Sequence, residues 1–201
     1  MKDWTGNGNS IYKTLGATNH TDKEREQDDF YATDPIAIDK LMDAVIIHDN
    51  VWECACGQGH LSERIKAYNK NVVSTDLKDR GYGTAGVDFL NTIARPVQSP
   101  CAIVTNPPYK YAKEFVEHAL KLLNEGDMCC MFLKLTFLEG KARKKLFEKY
   151  PAKKVLVFSE RVLCAKNADF DGMRKGGGSA VAYAWFVWEK GYKGRTVVEW
   201  I

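Results

Sequence analysis

The sequence predicts an α/β domain built on a doubly wound, mostly parallel sheet of seven strands. Short apolar segments alternate with amphipathic helical segments from residue 35 onward, an order typical of parallel sheets. One apolar segment, residues 128–133, contains no polar residue, which indicates a strand covered on both faces. The 201 residues, 45% of them hydrophobic, suffice for the core of one such domain.

The predicted strands are short apolar runs. They are residues 51–54, 71–76, 101–105, 128–133, 154–158, 180–188 and 196–200. The last two flank a turn at residues 191–194, which begins and ends with glycine. The sequence therefore predicts a C-terminal antiparallel hairpin beside the parallel strands.

The predicted helices show apolar residues on one face. They are residues 35–45, 60–68, 111–123 and 140–150, the last of them strongly basic. In the first, Ile38, Leu41, Met42 and Val45 recur at i, i+3, i+4 and i+7. Pro35 suits the first turn of that helix because its fixed φ and missing N–H cost nothing there.

Residues 1–29 are polar and charged and predict an arm with little core of its own, so residues 30–201 form the single predicted domain. No run of about 18 apolar residues occurs, so no membrane span is expected. The first residues lack the apolar stretch of a signal peptide, and we expect a cytoplasmic protein. The six cysteines form no C-x-x-C pair and the four histidines are scattered. Buried free thiols and no metal site are therefore predicted.

Charge is distributed unevenly along the chain. Residues 134–178 carry 12 basic and 5 acidic side chains, whereas residues 1–133 carry 14 basic and 19 acidic ones. A basic segment is often only the solvated face of a helix. Gathered on one side of a domain, the same charges would attract a polyanion by releasing its counterions.

A glycine-containing turn follows the first predicted strand, in the segment from Glu53 to Gly59, which reads Glu-Cys-Ala-Cys-Gly-Gln-Gly. Glycines let a strand turn sharply into a helix and let a ligand approach the backbone. The third glycine of the dinucleotide fingerprint is replaced by Ser62. Asp76 ends the next strand, where a carboxylate can accept hydrogen bonds from two ribose hydroxyls. These residues alone leave NAD as one candidate ligand.

The sharpest motif is Asn106-Pro107-Pro108-Tyr109, directly after the third predicted strand. Two prolines end the strand, remove two N–H donors and fix φ, so nearby carbonyl groups are held rigidly. The Asn106 side chain and a proline carbonyl offer two acceptors, and Tyr109 offers a flat face. Two acceptors beside an aromatic ring suit a planar group that carries an NH₂.

In this order, the glycine turn, Asp76, Asp88-Phe89 and the residues 106–109 resemble the motifs of S-adenosylmethionine-dependent amino-methyltransferases. The upstream segment Asp29-Phe30-Tyr31-Ala32-Thr33-Asp34-Pro35 is similar to a motif of the DNA adenine-N6 group. The whole chain resembles the small phage- and prophage-encoded DNA adenine methylases. The resemblance covers roughly residues 30–190 and implies a Rossmann-like class I methyltransferase fold.

The resemblance also implies a role for each matching residue. Those implied to bind S-adenosyl-L-methionine are Phe30, Tyr31, Thr33, Glu53, Ala55, Gly57, Gly59, Asp76, Asp88 and Phe89. Those implied to act on the amino group are Asn106, Pro107, Pro108 and Tyr109. Phe170 is a candidate to stack on the target base, and Lys166, Arg174 and Lys175 are candidates to contact phosphates.

The expected activity is methyl transfer to the N6 amino group of adenine in DNA, with no metal and an undetermined oligomeric state. An RNA adenine methylase would use the same chemistry. Protein glutamine-N5 methylases share the Asn-Pro-Pro-Tyr motif but carry an N-terminal helical domain that residues 1–50 cannot supply. A cofactor-binding module without activity would not need residues 106–109. No segment is large enough for a separate target-recognition domain, so either residues 161–179 and the arm read the sequence, or specificity is low, or a partner supplies it.

Overall fold

The computed structural model describes residues 32–165, 170 and 181–201. The strands are β1 (Ala32–Thr33), β2 (Asn50–Glu53), β3 (Asn71–Ser74), β4 (Cys101–Thr105), β5 (Met128–Lys134), β6 (Lys154–Val157), β7 (Cys164–Ala165), β8 (Tyr183–Glu189) and β9 (Val197–Trp200). The helices are α1 (Ile36–Ala44), α2 (His60–Lys66), α3 (Ala112–Leu122) and α4 (Lys141–Lys149). Short 3₁₀ helices lie at Phe89–Asn91, Tyr109–Tyr111 and Leu135–Leu138.

Within these residues the main sheet has seven strands in the order β3-β2-β4-β5-β8-β6-β9. The pairs β2–β3, β2–β4, β4–β5 and β6–β9 are parallel, whereas β8 is antiparallel to both β5 and β6. The predicted doubly wound, mostly parallel seven-stranded sheet is therefore confirmed. The C-terminal strands β8 and β9 run in opposite directions around the predicted turn, and β6 lies between them and bonds to both.

Helices cover both faces of the sheet. Apolar residues of α1 and α2, among them Ile38, Leu41 and Ile65, pack on one face with Trp185 of β8. Apolar residues of α3 and α4 pack on the other face, against β4, β5 and β8. The indole of Trp185 also donates a hydrogen bond of 2.7 Å to the carbonyl oxygen of Ala37, which ties α1 to the sheet.

The strands β1 and β7 form a separate two-stranded antiparallel sheet, in which Thr33 is paired with Cys164 and Ala32 with Ala165. No sequence pattern predicted this pair. Both strands are buried. This pair contributes to the site described below. Its two strands come from segments that are far apart in the sequence.

The parallel strands begin at an edge that is held together by one buried carboxylate. Asp127, 1% exposed, accepts hydrogen bonds from the backbone N–H groups of Cys101 (3.0 Å) and Asn124 (2.9 Å) and from the hydroxyl of Ser99 (2.7 Å). The guanidinium of Arg95 pairs with it. Burial alone would raise the pKa of Asp127, but these hydrogen bonds and the Arg95 charge outweigh burial and lower it below the usual 3.8.

No helix in the described ranges reaches the length and apolarity that crossing a membrane requires.

Asp127→Asn should cost on the order of 3–5 kcal/mol of unfolding free energy at pH 7, because it leaves Arg95 buried without its anionic partner. The folded pKa lies below the unfolded one, so the wild-type advantage is full above pH 3.8 and shrinks as the pH falls further. Urea unfolding of both proteins at pH 7 and pH 3 measures this difference. A difference that is equal at both pH values would contradict the prediction.

Candidate functional site

A cleft of about 1260 Å³ opens where β2, β3 and β4 end. This is the edge of an open parallel sheet at which ligands usually bind, because strands on either side connect to helices on opposite faces. Ten of the predicted site residues line it: Thr33, Glu53, Ala55, Asp76, Asp88, Phe89, Asn106, Pro107, Pro108 and Tyr109. The fold thus brings the glycine-turn segment, the acidic residues and the Asn-Pro-Pro-Tyr motif into one cleft.

The glycine turn joins β2 to α2. Gly57 and Gly59 have φ values of 54° and 84°, in the left-handed region that favours glycine. A Cβ on Gly59 would lie 2.6 Å from the ring of Tyr82, so a side chain there would collide with that ring. Gly57 donates its N–H to Oδ2 of Asp76 at 2.8 Å, which holds the turn against the end of β3. Gly57 and Gly59 shape the wall of the cleft and, in the described structure, do not line it.

Glu53 is buried at the base of the cleft, 1% exposed, and accepts a hydrogen bond from Ser62. The Ser62 hydroxyl also lies 2.6 Å from that of Ser74, so it links β2, α2 and β3. This contact explains why a serine occupies the third-glycine position. Burial, together with the nearby charge of Asp76 and despite the Ser62 bond, raises the pKa of Glu53 from 4.5 to about 8.

Asp76 accepts hydrogen bonds from backbone donors, and Asp88 accepts them from a backbone donor and a side-chain donor. Asp76 accepts N–H bonds from Gly57 and, at 2.9 Å, from Lys78. Asp88 caps the 3₁₀ helix by accepting the Leu90 N–H at 3.0 Å and the Asn91 side-chain amide at 2.7 Å. Because carboxylate oxygens have several lone pairs, both groups can still accept hydrogen bonds from a ligand.

Phe89 is deeply buried and also borders the cleft. Its ring is 2% exposed and contacts the rings of Trp52 (5.2 Å between centroids), Phe115 (4.8 Å) and His118 (5.0 Å). It reaches the cleft as part of the lining. The core on this face of the sheet therefore fixes the position of that wall.

Asn106 follows the last residue of β4, and its amide is oriented by side chains from the β1–β7 pair. Its Nδ2 donates to the hydroxyl of Thr33 at 2.8 Å and contacts Sγ of Cys164 at 3.5 Å. The next residues turn sharply, and the carbonyl of Pro108 accepts the N–H of Tyr111 at 2.9 Å. This bond engages the Pro108 carbonyl in the 3₁₀ helix.

Tyr109 is surrounded by polar and aromatic groups. Its hydroxyl lies 3.3 Å from Sγ of Cys164, its ring centroid is 5.9 Å from that of Tyr183, and the ammonium of Lys134 lies 4.7 Å from the centroid. Burial, reinforced by Cys164 and Tyr183, raises the pKa of Tyr109 well above its usual value. The phenol therefore stays protonated at neutral pH.

Several residues of the cleft were not predicted from the sequence. Cys164, Lys134 and Tyr183 come from β7, β5 and β8 and meet at Tyr109. Lys78, Arg80, Lys110 and Lys134 add positive charge to the lining. Lys134 had a detectable signal, since it ends the apolar strand β5 at the edge that carries the motifs. No sequence pattern pointed to Cys164, because its two-residue strand is too short to show periodicity.

Phe170, predicted to stack on a base, lies with its ring centroid 5.9 Å from that of His60, which lines the cleft. The other predicted residues of these segments, Phe30, Tyr31, Lys166, Arg174 and Lys175, lie outside the described residues.

The six cysteines are buried free thiols, as predicted. Burial raises the pKa of each, to about 11 for Cys101 and about 12 for Cys56 and Cys130, so they remain protonated. In the described part of the chain, no group of three or more histidine, cysteine, aspartate or glutamate side chains is arranged to hold a metal ion.

No protein-family model matches this sequence, and no curated protein sequence matches it. Solved structures with a similar fold include the methyltransferase subunit of a type I restriction-modification system from Streptococcus thermophilus, with a TM-score of 0.58 and 16% identity over 84% of this chain. A putative RNA methyltransferase from Pyrococcus horikoshii has a TM-score of 0.59 and 12% identity, covering 90% of this chain and 97% of its own. A putative class I S-adenosylmethionine-dependent methyltransferase from Listeria monocytogenes has a TM-score of 0.54 and 13% identity, covering 83% of this chain and 63% of its own.

The chain spans about half of the streptococcal subunit, 46% of its length. At these identities the likeness concerns the fold. The chain therefore has the Rossmann-like fold of class I methyltransferases.

Glu53→Gln tests the protonation of the buried carboxyl. Between pH 4.5 and about 8, unfolded Glu53 loses its proton while folded Glu53 keeps it, so wild-type stability should fall as the pH rises. The slope from this group is up to about 1.4 kcal/mol per pH unit. Glutamine removes this term, so the stability of the variant relative to wild type should rise across the window and level off above it. Urea unfolding from pH 5 to pH 9 measures both curves, and parallel curves would contradict the assignment.

Proposed function

We propose that this chain transfers a methyl group from S-adenosyl-L-methionine to the N6 amino group of adenine in DNA. The observation that carries the proposal is the oriented amide of Asn106, which lines the same cleft as the glycine-turn segment and the two aspartates. The cleft combines a group that can accept hydrogen bonds from an NH₂ with carboxyl groups that suit a nucleoside. This combination fits the methylation of an amino group on a base.

The residues present fit this cofactor better than a dinucleotide. The dinucleotide fingerprint has a third glycine, which lets the helix pack closely on the strand, whereas Ser62 occupies that position here and is buried against Glu53. Asp76 and Asp88 line the cleft, and their oxygens suit a ligand with a ribose and cationic groups, whereas Glu53, which keeps its proton, offers a neutral carboxyl group. Asp76 would hold the ribose, Asp88 and Phe89 the adenine ring, and the glycine turn, with Glu53 and Ala55, the methionine part.

The bound cofactor supplies a methyl group on a sulfonium centre, which is a strong electrophile. The protein's task is to make the exocyclic nitrogen of adenine a better nucleophile, because its lone pair is delocalised into the ring. Asn106 Oδ1 would accept one N–H of the amino group. The Pro107 carbonyl is the better candidate for the other, since the Pro108 carbonyl already accepts the Tyr111 N–H. Two such bonds favour a localised lone pair, and this stabilisation grows towards the transition state.

Positioning of the two reacting groups would account for much of the remaining rate enhancement. Holding the amino nitrogen about 3–3.5 Å from the transferable carbon, in line with it, replaces a collision by a fixed geometry. The diproline corner is rigid and is anchored at the end of β4, whose five residues are all buried. No side chain has to act as a nucleophile in this scheme.

A base within a duplex cannot reach the cleft and has to be flipped out, at a cost of a few kcal/mol. Stacking on an aromatic ring such as Tyr109 returns about 1–3 kcal/mol. Helix α4 follows β5 at the edge of the sheet that carries the cleft, and Lys141, Lys144, Lys145 and Lys149 on it are exposed. These lysines, with Lys134 in the lining, would contact the phosphates. Residues 30–201 would act as one methyltransferase domain.

Asn106→Ala should lower the rate of methyl transfer at least about 100-fold, the scale seen when one preorganised hydrogen-bonding group is lost from an active site. Its dissociation constant for S-adenosylhomocysteine should stay nearly unchanged, since Asn106 touches the substrate amino group. Single-turnover transfer of a tritiated methyl group and calorimetric binding measure the two quantities. Asn124→Ala, at the opposite edge of the sheet, is the matched control. Near-wild-type transfer by Asn106→Ala would refute the proposed chemistry.

The same assay separates the substrate classes. Duplex DNA, single-stranded DNA, RNA and a glutamine-containing peptide are compared at equal concentration, and the proposal predicts transfer to DNA. Transfer confined to RNA would retain the amino-group chemistry and contradict DNA as the substrate. Transfer confined to the peptide would contradict the choice of a base.

Binding to duplex DNA should weaken steeply as salt rises, with a slope of log K against log salt of about −0.9 for each phosphate contacted. The double variant Lys144→Gln, Lys145→Gln should flatten this slope if α4 contacts the backbone. Lys121→Gln, exposed on α3 near its end at the opposite edge, should leave it unchanged. Fluorescence anisotropy from 50 to 300 mM salt provides the slopes, and a flat response of the wild-type protein would refute a polyanion partner.

A further inference from the structure

We infer that Thr33 and Cys164 are positioning residues that set the orientation of the Asn106 amide and the Tyr109 hydroxyl. This inference rests on the proposed function, because it assigns a task to the acceptor end of Asn106. Neither residue needs to touch the substrate to perform this role.

The first argument is the geometry of the β1–β7 pair. Antiparallel pairing sets Thr33 directly opposite Cys164, and both side chains converge on Asn106, at 2.8 Å from Nδ2 to the Thr33 hydroxyl and 3.5 Å to the Cys164 sulfur. Thr33 is 3% exposed and Cys164 is 4% exposed. Water is therefore largely excluded from competing for the amide nitrogen.

The second argument is chemical. A carboxamide has a donor end and an acceptor end, and an amino group on the substrate can donate only to the acceptor end. If the amide turned by 180°, its NH₂ would meet the NH₂ of the substrate and the hydrogen bond would be lost. The contacts of Nδ2 with Thr33 and Cys164 engage the donor end of the amide, which is the orientation that the proposed function requires.

The third argument concerns Tyr109. The sulfur of Cys164 lies 3.3 Å from its hydroxyl, so one thiol contacts both polar residues of the motif. Burial raises the pKa of Cys164, and the neutral thiol can act as both a weak donor and a weak acceptor. The small β1–β7 sheet thus connects the segment before β2 and the segment after β6 to the motif after β4.

Thr33→Val tests the inference, because valine keeps the shape of threonine and removes the hydroxyl. The rate constant of transfer should fall about 10- to 100-fold, the scale of a small misplacement in an active site. The dissociation constant for S-adenosylhomocysteine separates this role from the cofactor contact that the resemblance implies for Thr33, and the inference predicts that it changes far less than the rate. Thr33→Ser keeps the hydroxyl and should restore most of the rate, and Cys164→Ser should retain more activity than Cys164→Ala. Thr33→Val with a wild-type rate constant, or Thr33→Ser as slow as Thr33→Val, would overturn the inference.

The variant Thr105→Val serves to distinguish the positioning role of Thr33 from a general loss of stability. Thr105 is also buried and directly precedes Asn106, so this variant makes the same chemical change beside the motif. Thermal unfolding of both variants shows the loss of stability that each change causes. If the two variants are similarly stable, the inference predicts that Thr33→Val transfers the methyl group slowly and that Thr105→Val transfers it rapidly. Equal slowing of transfer in the two variants would overturn it.

A second readout does not depend on activity. In protein labelled with ¹⁵N-asparagine, the Asn106 side-chain NH₂ signal, assigned by its loss in Asn106→Ala, should exchange slowly with solvent and should exchange rapidly in Thr33→Val. Equal exchange in both proteins would overturn the inference. If wild-type protein transferred no methyl group to any substrate, the proposed function would fail, and this exchange experiment would still decide whether Thr33 holds the amide.

Discussion

The parallel pairing of β2 with β3 and with β4 is the constraint on which the site depends. It sets Glu53 opposite Ser74 and Trp52 opposite Ile103, so the three strands end at one edge of the sheet. The glycine turn, Asp76 and Asn106 leave the sheet at that edge and line or border one cleft. The buried Glu53–Ser62–Ser74 contacts then hold the ends of β2 and β3 to α2. At the opposite edge, Asp127 fixes the starts of β4 and β5.

The cleft combines a rigid part and a polar part. The diproline corner and the aromatic cluster around Phe89 give its walls fixed positions, whereas the aspartates and the Asn106 amide provide hydrogen-bonding groups within it. In the proposed reaction, such preorganisation would lower the cost of aligning groups. Positive side chains line the cleft, and α4, which carries further exposed lysines, follows β5, which ends at the same edge.

Most of the fold was predictable because its signals are local. The seven sheet strands are apolar runs that end within a few residues of the predicted bounds, and the helices carry their apolar residues on one face. The position of β6 between β8 and β9 depends on pairing between distant segments, which periodicity does not encode. The same holds for the β1–β7 pair, whose two-residue strands are too short for a pattern. The Asn106 motif was visible in the sequence, but its contacts with Thr33 and Cys164 were not, and Ser62 proved to be a hydrogen-bonding link to Glu53.

The most direct test of the central claim is a crystal structure of the protein with S-adenosylhomocysteine. The sulfur should lie roughly 6–8 Å from Oδ1 of Asn106, because one sulfur–carbon bond, a reacting contact of about 3–3.5 Å and a hydrogen bond of about 2.9 Å separate the two atoms along a bent path. The ribose hydroxyls should contact Asp76. A ligand bound outside the cleft, or one bound within it whose sulfur faces away from Asn106, would contradict the account.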